Sequence, residues 1–342
     1  MAWAAEVPSA QASLYREAKH SALLASVDSE DQFANVDQYL SILNQLDFPA
    51  TFFVVSELFK DYPKMLESMS ENIEIASHSE NHNSFLGVNA KEQFERIQSS
   101  RLEIEETAHS HVNGFRPPEE KFDENTVNAA LQNNLDYFAG NAKFERLAPT
   151  LVANGKMLYF SRTIADDFTT LKSIAISNDA DIINNFLKEA DRVQKAHGAF
   201  FLNMHTHVFG QAKYKKTLQA LFIKLNQKNF WKTNYESLTQ WWRERDAISA
   251  KIMPVEIRKK NFLLVIENKS KNEIVDFDID LDLGAHHIRK IETSLRSPST
   301  ATSLSPLANP IENSLGPEET NAKIHIEKIA PLEKMELKIE VL

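Results

Sequence analysis

Between about residues 20 and 245, short apolar runs of strand length alternate with amphipathic stretches of helical period, and this alternation confines the chain to an α/β architecture with parallel strands. Residues 21–27, 50–55, 73–77, 157–160 and 199–204 read as strands, rich in Val, Phe, Ile and Leu. Segments 36–46, 90–108, 119–134, 179–197, 214–226 and 235–245 read as helices. Asp123 is placed to cap one of these and Gly198 to end another. Roughly seven strand and helix pairs over this length predict an α/β fold of the distorted (β/α)7-barrel type.

Past Arg245 the pattern changes. Residues 250–255, 262–267, 275–281, 288–294, 322–329 and 335–342 form short runs, several with period-two alternation and no long amphipathic stretch between them. They predict a small all-β, sandwich-like domain, with the Ser-, Pro- and Thr-rich segment 297–319 as a loop inside it. The expected division is an N-terminal extension (1–19), a barrel (20–248) and an accessory β domain (249–342). A chain of 342 residues with 42% hydrophobic content can supply two cores.

Composition narrows the chemistry. With no cysteine, a transition-metal site would have to use imidazole and carboxylate. A formal charge of -10 without a basic stripe argues against nucleic acid or anionic membrane as partner, and favours a neutral or cationic substrate. Only eight glycines and no phosphate-cradling loop make a nucleotide site unexpected. No stretch approaches about 18 consecutive apolar residues, so no transmembrane segment is expected. Ala2-Trp3-Ala4 resembles the end of a small-residue cleavage site, which makes export to the periplasm or cell envelope the expectation and the cytoplasm the alternative. Oligomeric state is left open.

The chemically useful groups fall at the ends of predicted strands. Asp28-Ser29-Glu30-Asp31 follows the first, and His78 and His82 follow another, four residues apart. Phe115-Arg116-Pro117-Pro118-Glu119-Glu120 comes next, and Leu202-Asn203-Met204-His205 closes a late apolar run. Two neutral imidazoles and one carboxylate are the donor set of a catalytic zinc-type site that keeps a position open for water. Loops after the C-terminal ends of parallel strands converge, so one shared pocket is expected.

These segments resemble the polysaccharide deacetylase family, the NodB-homology carbohydrate esterases, over roughly residues 20–245. The resemblance implies a metal-dependent N-deacetylase of an amino-sugar polysaccharide or cell-envelope glycan, using one divalent ion, Zn2+ or else Co2+, Ni2+ or Fe2+. His78-Ser79-Glu80-Asn81-His82 matches the family's His-[Ser/Thr]-x-x-His motif, which implies that both imidazoles are ligands. Arg116-Pro117-Pro118 matches its Arg-x-Pro motif, and Leu202-x-x-His205 its last motif, where Leu202 would border the substrate and His205 would serve as general acid. Asp167, in Asp166-Asp167-Phe168, resembles the acid of a fourth motif that pairs with the pocket arginine, with Asp136 as an alternative.

Two departures qualify the match. The usual Thr-Phe-Asp-Asp-Gly stands here as Ser26-Val27-Asp28-Ser29-Glu30, which implies Asp28 as base and Glu30 as the carboxylate ligand, with Asp31 the competitor. After Pro118 the family's aromatic residue and glycine are replaced by Glu119 and Glu120. The backbone N–H of Glu119 can still face an oxyanion, but the wall becomes acidic. Other readings are therefore kept: a deformylase or amidohydrolase acting on another amide, and a catalytically inactive sugar-binding relative. His207, just past His205, is expected on the opposite face or the rim, and His109, His111, His286 and His287 on the surface.

Overall fold

The computed structural model describes residues 7–140, 147–152, 154–173, 175–176, 178–256, 261–293 and 320–341. The loop expected at 297–319 and the Ala2-Trp3-Ala4 segment lie outside them. The chain divides into two compact units, Lys19–Gln240 and a second made of Met1–Ala18 with Trp241–Leu342.

In chain order the strands begin with Ser9–Ala12 (β1), which belongs to the second unit. The first unit contains Ala22–Ser29 (β2), Ala50–Val54 (β3), Ile73–Ser77 (β4), Gly114–Phe115 (β5), Tyr137–Gly140 (β6), Thr150–Val152 (β7), Met157–Ser161 (β8), Ala199–His205 (β9) and Trp231–Thr233 (β10). They form one nine-stranded sheet, parallel throughout except that β7 runs antiparallel to β8. From β9 the sheet passes through β2, β3, β4, β5 and β6 to β8, with β10 beside the start of β2. Among the described residues no ladder joins β8 to β9, so this barrel-like sheet has a seam there.

Helices Val36–Gln45 (α1), Ser56–Lys60 (α2), Lys64–Glu67 (α3), Ala90–Ala108 (α4), Glu124–Gln132 (α5), Asp179–Lys195 (α6) and Lys215–Asn226 (α7) supply the outer layer. The helix expected at 119–134 begins only at Glu124. Asp123 accepts from Thr126 N at 3.1 Å in a capping box, while Glu119 and Glu120, at φ 56° and 52°, cannot continue a right-handed helix backwards.

Strand parity sorts the side chains into two interiors. Leu23, Ala25 and Val27 of β2, with Phe200, Leu202 and Met204 of β9, join Leu40, Leu43 and Leu221 in the large apolar cluster between sheet and helices. Alternate positions face a second interior lined by aromatic rings, where Tyr235 meets Phe53 at 5.4 Å and Phe160 at 4.9 Å between ring centroids. Tyr137 lies in the same cluster, and its ring crosses β5 so closely that a Cβ on Gly114 would meet it at 1.8 Å. Glycine alone leaves that space.

The second unit holds Ile248–Glu256 (β11), Asn261–Asn268 (β12), Ile274–Asp282 (β13), Ile288–Thr293 (β14), Asn321–Ile329 (β15) and Lys334–Val341 (β16). One sheet has the order β1-β13-β15 and the other β11-β12-β16-β14. Thus the segment read as an N-terminal extension contributes an edge strand, Ser9 to Ala12 pairing antiparallel with Asp282 to Ile279. His286 and His287 are half-buried rather than on the surface, His286 packing against the Phe262 ring, whereas His109 and His111 are exposed.

Glu74 of β4 is a buried carboxyl beneath the aromatic interior. It accepts from Thr51 Oγ1 and Tyr137 OH, each at 2.6 Å, and from Glu236 N at 3.0 Å. Burial outweighs these bonds and pushes its pKa up to about 7. The unfolded chain releases this proton near 4.3, the folded one only near 7, so stability should fall as pH rises between those values, by up to about 3 kcal/mol. Glu74→Gln should therefore lose less Tm than the wild type between pH 5 and pH 8 in parallel thermal melts. An unaltered pH dependence would show that the ionisation belongs elsewhere.

Candidate active site

Beyond the C-terminal ends of the parallel strands lies a cavity of about 370 Å3, near the small end of the range for ligand sites. Its lining includes Asp28, Glu30, His78, His82, His205 and His207, with Glu119 and Glu120 on another side.

Because β2 and β9 are parallel neighbours with Asp28 opposite His205, base and acid candidates arrive side by side. Asp28 is 2% exposed. Its Oδ1 accepts from Arg116 Nη1 at 2.6 Å and its Oδ2 from Asn203 Nδ2 at 3.0 Å, while His205 Nε2 stands 3.6 Å from Oδ2. Burial alone would raise this carboxyl, but the Arg116 guanidinium, with His78 and His205, outweighs that and holds it below its usual range. Arg116, delivered by β5, also donates to Asn203 Oδ1 at 2.7 Å and Tyr235 OH at 3.0 Å, and lies 3.9 Å above the Phe53 ring.

Glu30, His78 and His82 converge, each offering a ligand atom within 4.8 Å of the others. His78 Nδ1 lies 2.8 Å from the Arg116 carbonyl, so this nitrogen carries the hydrogen in the neutral ring and Nε2 presents a lone pair toward Glu30 Oε2 at 3.4 Å. His82 Nε2 contacts the same oxygen. The donor set therefore fits a divalent ion of imidazole and carboxylate preference. Burial opposes ionisation of Glu30, yet the imidazoles of His207, His78 and His82 gathered around it keep it well below the carboxylate range. Asp31, in the turn after β2, is exposed and outside this cluster.

Asp167 is fully buried and pairs with His205, not with the pocket arginine, which corrects the sequence expectation. Its Oδ1 is 2.5 Å from His205 Nδ1, and its Oδ2 accepts from the backbone N–H groups of His205 and Phe209 at 2.9 and 3.0 Å. Although burial disfavours the imidazolium, Asp167, Asp28 and Glu30 outweigh it and push the His205 pKa up to about 10. Asp136 stands just before β6, at the end of the strand opposite the cavity, so it cannot substitute for Asp167.

Leu202 does not border the cavity. Three residues before His205 it has the opposite parity, and it sits in the apolar cluster under the helices. Pro118 is buried and likewise absent from the lining, whereas Glu119 is exposed there and pairs with Lys121 Nζ at 2.9 Å. Arg162 holds both Glu120 and Asp166, so this acidic wall carries its own cation.

His207, expected on the opposite face or the rim, stands at the cavity beside Glu30. It lines the cavity, its Nδ1 3.0 Å from Glu30 Oε1. An even spacing from His205, matching that of Glu30 from Asp28, was the signal that marks it. Asn203, two residues before His205, follows the same rule. Tyr235, brought in from the chain after β10, left no such signal.

Residues 19–138 match the family model described as polysaccharide deacetylase. Solved structures of similar fold include the "putative polysaccharide deacetylase" of Mycobacterium smegmatis, at 17% identity and TM-score 0.62, covering 74% of this chain and 100% of that one. Puue allantoinase aligns at 13% identity and TM-score 0.60, covering 67% and 92%. The "probable polysaccharide deacetylase" of Pseudomonas aeruginosa PAO1 aligns at 12% and 0.59, covering 66% and 91%. At such identities the likeness concerns the fold. No curated protein matches this sequence.

Asp167→Asn keeps the shape beside His205 but removes the negative charge. In the metal-free protein, the His205 imidazole followed by NMR should then titrate well below pH 10, toward the ordinary value near 6.5. A titration unmoved by the substitution would mean that Asp167 is not what holds the proton.

Proposed function

We propose that this chain, a relative of the polysaccharide deacetylases through its barrel, is a metal-dependent hydrolase that removes N-acetyl groups from an amino-sugar glycan. One observation carries the reading: Asp28, itself outside the cluster of Glu30, His78 and His82, sits beside that cluster with His205 3.6 Å away. A carboxylate base and a protonated imidazole then flank a single three-donor centre.

When bound by Glu30, His78 and His82, a divalent ion such as Zn2+ supplies Lewis acidity to an amide carbonyl and to water, lowering the water's pKa to about 7. The remaining work belongs to the chain. Asp28, kept ionised by Arg116, accepts the proton of the attacking water. Glu119 lines the cavity, and its backbone N–H is the donor assigned here to the developing oxyanion. His205, charged at neutral pH and oriented by Asp167, protonates the departing amine, which leaves poorly without a proton. Tyr39 OH donates to the His205 carbonyl at 3.1 Å and helps hold the strand end.

A second reading rests on the wall. Glu119 and Glu120 replace the aromatic residue and glycine expected there, so a polar or basic amide, such as a formamido sugar or a ureide, also suits the cavity. The second unit, with its two antiparallel sheets, is read as a sandwich-like accessory module that packs or contacts carbohydrate. Among the described residues no helix is long and apolar enough to cross a membrane. An exported, cell-envelope location follows from the substrate class proposed.

Metal analysis of the purified chain should find about one divalent ion, lost in His78→Ala. Asp28→Asn should retain the ion but lose about 10²- to 10⁴-fold in turnover, measured as acetate released from N-acetylglucosamine oligomers. Formate from formamido sugars without acetate from the oligomers would shift the assignment to the second reading. Full activity in Asp28→Asn would remove the base from the scheme.

A further inference from the structure

We infer that His207 is a positioning residue that fixes the Glu30 carboxylate from the side opposite His78 and His82; the inference rests on the metal-centre reading above. Glu30 stands two residues beyond Asp28 and His207 two beyond His205, on parallel strands whose register sets Asp28 against His205. Continuing that register past both strand ends brings Glu30 alongside His207.

Backbone and hydroxyl contacts fasten the two segments together. Thr206 N donates to the Asp28 carbonyl at 3.2 Å, Glu30 N to Thr206 Oγ1 at 3.2 Å, and Thr206 Oγ1 to the Asp31 carbonyl at 2.9 Å. Asn35 Nδ2 holds the Thr206 carbonyl at 2.9 Å, and Gln211 Nε2 that of His207 at 2.5 Å. On this frame His207 Nδ1 lies 3.0 Å from Glu30 Oε1, while Glu30 Oε2 faces the Nε2 atoms of both candidate ligands.

The two oxygens of one carboxylate are thus divided between an orienting imidazole and the ion-binding side. Glutamate carries one more side-chain torsion than aspartate and so needs an external hold to present a single oxygen reproducibly. The set converging within 4.8 Å, among the described residues, is Glu30, His78 and His82 without His207. The His207 ring therefore stands behind the carboxylate and does not complete the donor set.

Metal-free wild type, His78→Ala, His207→Ala and His207→Asn would be titrated with Zn2+ in competition with a chromophoric chelator, with circular dichroism confirming that each is folded. His207→Ala should bind about 10- to 100-fold more weakly than wild type. His207→Asn, whose amide nitrogen takes the place of Nδ1, should recover most of that loss. Wild-type affinity in His207→Ala would overturn the inference, and so would failure of Asn to rescue, which would make the ring itself a ligand. A wild type that binds no Zn2+, or that binds equally with His78→Ala, would instead defeat the metal-centre reading itself.

Discussion

A buried ion pair, Arg116 with Asp28, is the constraint from which the site is built. Each residue is 2% exposed, in a place where an isolated charge would be disfavoured by several kcal/mol. The guanidinium is accommodated because Asp28, Asn203, Ser26 and Tyr235 accept from its two terminal nitrogens and Phe53 lies against its face. Removing either member would leave the other uncompensated, a loss of about 3–5 kcal/mol for such pairs. In return, Asp28 stays ionised, while Glu74, a second buried carboxyl of the same sheet, holds its proton to about pH 7. The two acids differ in that a cation faces only one of them.

From Asp28 outward, the arrangement follows strand register. Asp28 faces His205 across a parallel ladder, Asn203 follows by parity, and Asp167 reaches His205 from the loop after β8. The charges alternate: Arg116, Asp28, His205 and Asp167 form a chain of opposite neighbours. Such an arrangement keeps Asp28 ionised and His205 protonated, the two states the proposed hydrolysis would use. The wall formed by Glu119, Glu120, Lys121, Arg162 and Asp166 is made of paired charges, so it offers a substrate polar contacts without a large net field.

Much of the fold was legible because period is a local property. Apolar runs such as Phe52-Phe53-Val54 and Phe200-Phe201-Leu202 suit strands buried on both faces, which is where the structure has them, and amphipathic stretches between them suit a covering layer. Glu30, His78, His82, Asp28, His205 and Arg116 were named from motif resemblance, and the structure brings all six to one cavity or its floor. Leu202 was misjudged for one reason, strand parity: its odd spacing from His205 sends the side chain to the helices. The partner of Asp167 was misjudged for another, since which of two nearby cations a carboxylate meets depends on where its loop lands.

The amino-acid order by itself determined the alternation of strands and helices, the change to β structure after Arg245, and the residue types available for chemistry. These follow from periodicity and composition, which act over a few residues. Only the tertiary structure decided that β1 joins the second unit, that the parallel sheet has a seam between β8 and β9, that Tyr235 receives Arg116, and that His207 backs Glu30. Each of these is a meeting of segments far apart in the chain, and such meetings are selected by packing and by the need to pair buried charge.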